Sequence, residues 1–152
     1  MCPAAKEENR TRNILIINRL GPAVVHQKKD RAVVELPSTT TRQIQVNGEE
    51  AVLDSYMRLI YRVECREGIW KIADLCAINE FDTLQPLIAG TDLHINPEHL
   101  KGLRSSYRFL AYTRNQAGGK ERQDLYGIDR HEEVDALYAE AFAWLEGGER
   151  AC

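Results

Sequence analysis

Apolar and polar positions alternate with a period of two through the first half of the chain, and the period lengthens to that of a helix in the second half. The alternation predicts four long strands joined as an antiparallel meander. The first covers residues 13–26, with Gly21-Pro22 in its middle marking a bulge or bend. Lys28-Lys29-Asp30-Arg31 turns the chain into a second strand, residues 32–46, rich in β-branched side chains that include Thr39, Thr40 and Thr41. Asn47-Gly48 follows, a dipeptide suited to the positive φ angles of a two-residue type I′ hairpin turn. The third strand spans residues 51–65, and Arg66-Glu67-Gly68 leads into a fourth from residue 69 to about residue 81. Residues 83–93 are the one long connector, placed to cross the mouth of the sheet.

The helical half has its own punctuation. Asn96 is a good N-cap and Pro97 suits the first helical position, which predicts a short helix over residues 97–103. Ser105 or Ser106 can cap a second helix that ends near Gly118-Gly119. Asp129 with Glu132 three positions later resembles a capping box. Val134, Leu137, Tyr138, Ala141, Phe142 and Leu145 then recur at helical spacing until Gly147-Gly148. The fold class is α+β: a curved, four-stranded antiparallel meander followed by C-terminal helices. A polar tail (1–11), one domain (12–147, sheet 12–82 and helical part 94–147) and a short second tail (148–152) divide the chain.

Residues directly opposite in an antiparallel pair share a face. With the two tight turns as anchors, one face carries Val34, Leu36, Ser38, Thr40 and Arg42, then Leu53, Ser55, Met57, Leu59, Tyr61 and Val63. The fourth strand adds Trp70, Ile72, Asp74, Cys76, Ile78 and Glu80. Such a face is apolar at one end and polar at the other, as the wall of a half-buried pocket is. Asp74 is expected opposite Tyr61, and Glu80 opposite Ser55, near Thr40 and Arg42. A carboxyl in an apolar wall has its pKa raised by desolvation, which makes it useful as an acid or base near neutrality. Tyr61 is placed to share a proton with Asp74 or to polarise a carbonyl oxygen. The bland readings are a structural Asp–Tyr pair and an end-of-sheet ion pair between Glu80 and Arg42. The opposite face mixes Tyr56, Ile60, Leu75 and Ala77 with Asp54, Arg58, Arg62 and Glu64. It is either a subunit interface or the seat of a helix of the same chain.

Charge and cysteines narrow the setting. A net charge of −3 argues against nonspecific nucleic-acid binding, which needs a basic surface. The longest apolar run, residues 14–17, is far short of the roughly 20 residues that cross a bilayer. The start of the sequence has no apolar signal-like stretch, so a cytoplasmic protein is expected. The register offsets Cys65 from Cys76 by on the order of 20 Å, too far for a disulfide, and reduced thiols fit a cytosolic setting. His94, His99 and Asp92 are the one metal-like grouping; their spacing does not put both imidazoles on one helix face, and no metal or other cofactor is expected. There is no phosphate loop, dinucleotide fingerprint or nucleophile elbow.

Residues 55–64 (Ser55-Tyr56-Met57-Arg58-Leu59-Ile60-Tyr61-Arg62-Val63-Glu64), with Arg31-Ala32-Val33 before them and Gly68-Ile69-Trp70-Lys71-Ile72 after, resemble the sheet of SnoaL-like proteins in the nuclear-transport-factor-two-like superfamily. The stretches Ser106-Tyr107-Arg108-Phe109-Leu110-Ala111-Tyr112, Asp129-Arg130-His131-Glu132-Glu133-Val134 and Leu137-Tyr138-Ala139-Glu140-Ala141-Phe142-Ala143-Trp144 resemble one subgroup of them. The resemblance implies a cone-shaped sheet around a hydrophobic pocket, a homodimer through the sheet, and cofactor-free acid–base chemistry on small hydrophobic molecules. The family's N-terminal helices have no counterpart here, so no site residue carries over from them. Two functions follow as expectations. One is a cofactor-independent isomerase, cyclase or dehydratase acting on a polyketide- or terpenoid-like metabolite. Its catalytic residues are Asp74, Tyr61 and Glu80, and its pocket residues are Ser38, Thr40, Arg42, Ser55, Met57, Leu59, Trp70, Ile72 and Ile78. The other is a non-catalytic small-molecule-binding or dimerisation module of the same fold.

Overall fold

The computed structural model describes residues 15–147. Five strands form one antiparallel sheet: β1 (Ile16–Leu20), β2 (Val24–Lys28), β3 (Arg31–Val46), β4 (Glu49–Arg66) and β5 (Ile69–Pro86). The expected first strand is two strands, broken at Gly21-Pro22-Ala23, and both pair with β3. Proline removes a ladder donor at the break, and Gly21 N–H donates instead to the Pro37 carbonyl at 2.8 Å. Asn47 (φ 51°) and Gly48 (φ 89°) adopt the two left-handed conformations of the expected hairpin turn. Glu67 and Gly68 repeat them at φ 55° and 77°. The β3–β4 ladder runs in the expected register without interruption, from Val46 opposite Glu49 to Arg31 opposite Glu64.

The β4–β5 ladder departs from expectation. It starts in register at Arg66 opposite Ile69, then slips between Arg62 and Val63 and again between Tyr56 and Met57. Each slip is a β-bulge, which turns the strand by one position and exchanges the faces of everything that follows. Asp74, Cys76 and Ile78 therefore leave the face of Tyr61 and join that of Ile60 and Arg62. Leu75 and Ala77 take their places. The second bulge reverses the exchange, and Asp82 and Leu84 return opposite Ser55 and Leu53. The strand continues to Pro86, five residues beyond its expected end.

Two helices follow: α1 (Arg108–Gln116) and α2 (His131–Glu146), with short 3-10 turns at Pro97–Leu100, Ser105–Tyr107 and Ile128–Arg130. The turn at Pro97 is capped as expected, Asn96 Oδ1 accepting from Glu98 N–H. Helix α2 lies over the middle of one face, burying Val134, Leu137, Ala141 and Leu145 against Val33, Ile60 and Ile78. Each large side chain buried there stabilises the fold by about 1.5–3 kcal/mol. Tyr112 of α1 packs at the far end of the other face with Val46, Ala51 and Leu93. To pass from one face to the other the chain crosses the outer edge of β5, where Gly127 bridges Asn79 in parallel. No helix among the described residues is long and apolar enough to cross a membrane. Cys76 is a free thiol, whereas Cys65 is disulfide-bonded, which corrects the expectation that both stay reduced.

Candidate functional site

The bulge at residues 72–74 separates the expected catalytic pair. Asp74 stands opposite Arg62 and is held by it at 2.8 Å, while Tyr61 lies across the sheet opposite Leu75. Arg62 also binds Glu140 of α2 at 2.9 Å, so Asp74 belongs to an ion-pair chain between sheet and helix. The Cys76 Sγ lies 3.6 Å from the same carboxylate, and burial, then the Asp74 charge, push its thiol pKa up. Glu80 sits at the second bulge and pairs with Arg58 Nε at 2.8 Å, on the face away from Arg42. Arg58 Nη1 donates to the Tyr138 hydroxyl at 3.0 Å and lies 3.7 Å from Glu35. Burial, followed by the bond to Glu35, pushes the Tyr138 pKa up to about 12. Ile78 is in the α2 core rather than the expected pocket wall.

The other expected pocket residues do share one face. Ser38, Thr40, Arg42, Ser55, Met57 and Leu59 pair across β3 and β4, and Trp70 and Ile72 extend the face through Cys65 and Val63. Its two halves differ in chemistry. Toward the Trp70 end it is apolar and uncovered: Leu20 is 61% exposed, Val25 56%, Ile72 64% and Leu75 49%. Leu36, Met57, Leu59, Tyr61 and Val63 are half-buried between them. Toward α1 the face is polar and closed, with Ser38, Thr40, Ser55 and Asp82 all buried. Thr40 Oγ1 donates to Asn18 Oδ1 at 2.9 Å, and Arg42 Nη1 donates to Ser55 Oγ at 3.2 Å.

Asp82 is the carboxylate that stands opposite Ser55, the place expected for Glu80. Its oxygens accept the N–H groups of Phe109 and Leu110, at 3.1 and 2.7 Å, in the first turn of α1. The strand thus supplies the helix cap, and neither Ser105 nor Ser106 does. Burial raises the Asp82 pKa against the opposing pull of these two bonds. Beside it, a groove of about 760 Å³ opens between the end of β3 and α1, lined by Arg42, Ile44, Leu53, Leu110, Thr113 and Arg114 among others. Arg42 is the one expected pocket residue that reaches it.

A second buried polar cluster fixes the edge crossing. Arg104 binds Asp129 through two bonds, Nε to Oδ2 at 3.0 Å and Nη2 to Oδ1 at 2.6 Å. Its Nη1 donates to the carbonyls of Leu125 at 2.6 Å and Gln123 at 3.2 Å, and to the Tyr107 hydroxyl at 3.2 Å. Ser106 Oγ donates to Asp129 Oδ1 at 2.7 Å. The Arg104 guanidinium holds the Asp129 carboxyl below the usual carboxylate range. Asp129 is therefore not the helix cap its spacing with Glu132 suggests; Arg130 occupies that position without a side-chain bond. His94 and His99 turn to different neighbours, Asp92 and Gln116.

These features define an α+β protein with an open apolar sheet face and a separate charged groove. No family model matches the chain. It is similar to Pea pathogenicity protein 2 of Fusarium vanettenii, with 31% identity over 124 residues that cover 77% of this chain and 53% of that protein. A PEP2-like protein of the same fungus is 29% identical over 130 residues, covering 81% of the chain and 56% of the relative. The chain thus spans about half the length of the curated relatives it matches.

Proposed function

We propose that the chain is a non-catalytic assembly module, which pairs with a second copy of itself through the open apolar half of its sheet. The carrying observation is the uncovered surface formed by Leu20, Val25, Leu59, Ile72 and Leu75, which contains no charged side chain. A contiguous apolar patch of this kind marks an interaction surface rather than a solvated one. An uncharged apolar face is complementary to its own copy, as an isologous dimer requires. The likeness to SnoaL-like proteins supports the same reading, since it implies a dimer through the sheet. The carboxylates that the sequence marks for acid–base work are bound to arginines, Asp74 to Arg62 and Glu80 to Arg58, and this weighs against a catalytic role for them.

Sedimentation velocity tests the proposal. The chain should sediment at twice its 17.3 kDa mass, and Leu59→Asp with Ile72→Asp should return it to a monomer with unchanged far-ultraviolet circular dichroism. A wild-type monomer at high micromolar concentration, or a dimer that survives both substitutions, would refute it.

A further inference from the structure

The groove beside α1 carries a charge that the apolar half of the face lacks, and its reading is independent of the assembly proposed above. Ile44 lines it from the sheet and Leu110 from the helix, with the almost fully buried Leu53 beneath them. Arg42 enters between them with one hydrogen bond, to Ser55 Oγ at 3.2 Å. Among the described residues no carboxylate stands within ion-pair distance of it. Arg114 lines the same groove but is already bound, through Nε, to the buried Glu121 at 3.0 Å. The cluster of Arg42, Arg114 and Glu121 carries one positive charge in excess; Glu121 pairs directly with Arg114 and acts on Arg42 only at longer range. Glu50 at the rim does not cancel it. It pairs with Gln45, and alternation along the strand turns its side chain away from the face of Leu53.

A guanidinium in this position is poised for an anion. Burial, then the like charge of Arg114, lower the Arg42 pKa against the smaller opposing pull of Glu121, yet an arginine stays protonated in a protein and its donors still need acceptors. The planar fork of donors matches a carboxylate, with which it forms two parallel bonds. The volume of about 760 Å³ lies within the range of small-molecule sites, and the apolar walls suit a hydrocarbon or aryl body. We propose that this groove binds a small amphipathic carboxylic acid, its carboxylate on Arg42 and its apolar body against Ile44 and Leu110.

Calorimetric titration of the full chain with decanoate and, separately, with 1-decanol tests this. Decanoate should bind saturably at one site per chain, and decanol should bind about tenfold or more weakly. Arg42→Gln should weaken decanoate by a similar factor, with Arg66→Gln, at an exposed turn, unchanged from wild type. Thr113→Trp, which fills the groove and leaves Arg42 unsubstituted, should abolish binding and keeps the test valid if Arg42→Gln fails to fold. Decanol binding as tightly as decanoate, unchanged binding in Arg42→Gln or Thr113→Trp, or no saturable binding to wild type would each overturn the proposal.

Discussion

Arg104→Ala is the substitution whose cost the structure specifies most fully. The Arg104 side chain is 7% exposed and that of Asp129 20%, so the pair is largely out of water. Removing the guanidinium deletes both bonds to Asp129 and leaves the carbonyls of Leu125 and Gln123 without this donor. Asp129 keeps Ser106 Oγ and its own charge in a site built for a cation. Breaking a buried pair on one side costs about 3–5 kcal/mol, a large share of the roughly 5–15 kcal/mol that holds a domain folded. Urea unfolding followed by Trp70 and Trp144 fluorescence reads this directly. Lys101→Ala, which removes an exposed pair with Glu98, serves as the control and should cost at most about 1 kcal/mol. The pH dependence carries a sign. Asp129 has its folded pKa depressed, so the stabilisation is present above the unfolded value of about 3.9 and is lost as pH falls through the lower folded value. The Arg104→Ala deficit should therefore be constant from pH 7 to about 5 and should shrink in acid. A deficit below about 1 kcal/mol at pH 7 would refute the reasoning, because no buried pair could then be holding the crossing.

Three further outcomes follow from neighbouring geometry. A Cβ on Gly127 would meet Asp129 Oδ1 at 2.6 Å and Ser106 Oγ at 2.8 Å, so Gly127→Ala should lower stability by about 1–3 kcal/mol, measurable by the same unfolding curve. Asp82→Ala removes the acceptor for two N–H groups of α1 and should cost about 0.5–2 kcal/mol, with amide exchange accelerated at Phe109 and Leu110 but not in α2. Because the Cys76 thiol pKa is raised, its thiolate fraction at pH 8 is small. Peptide mapping after iodoacetamide should find it alkylated more slowly than glutathione, and Asp74→Asn should speed the reaction.

The fold was readable wherever a turn residue set the register and nothing disturbed it afterwards. Asn47-Gly48 placed every pair of the β3–β4 ladder, because neither strand bulges. Glu67-Gly68 placed the β4–β5 pairs only as far as Val63 opposite Ile72. Between Ile72 and Pro86 the sequence contains no glycine or internal proline to betray a bulge, so both slips were silent. That silence put Asp74 beside Tyr61 and hid Asp82 behind Glu80. The capping signals failed for a related reason. Ser106 and Asp129 have the right types and spacing for local caps, but their side chains serve Arg104 and each other across 23 residues. Long-range polar bonds of this kind leave no local periodicity. The halves of the sheet face were legible as polar and apolar, but the sequence could not show which half α1 would cover.

The two margins of the sheet are both interrupted: on one side by Gly21-Pro22-Ala23 between β1 and β2, on the other by the chain crossing β5 at Asn79. A foreign strand adding to the first margin meets the break between β1 and β2, and on the second the crossing at Asn79 confines it to the stretch before that bridge. On the pairing proposed above, two copies that cover one another's open faces leave nothing for a third. Growth through such a surface terminates by itself, so raising the concentration should fill the paired state without lengthening it into fibres.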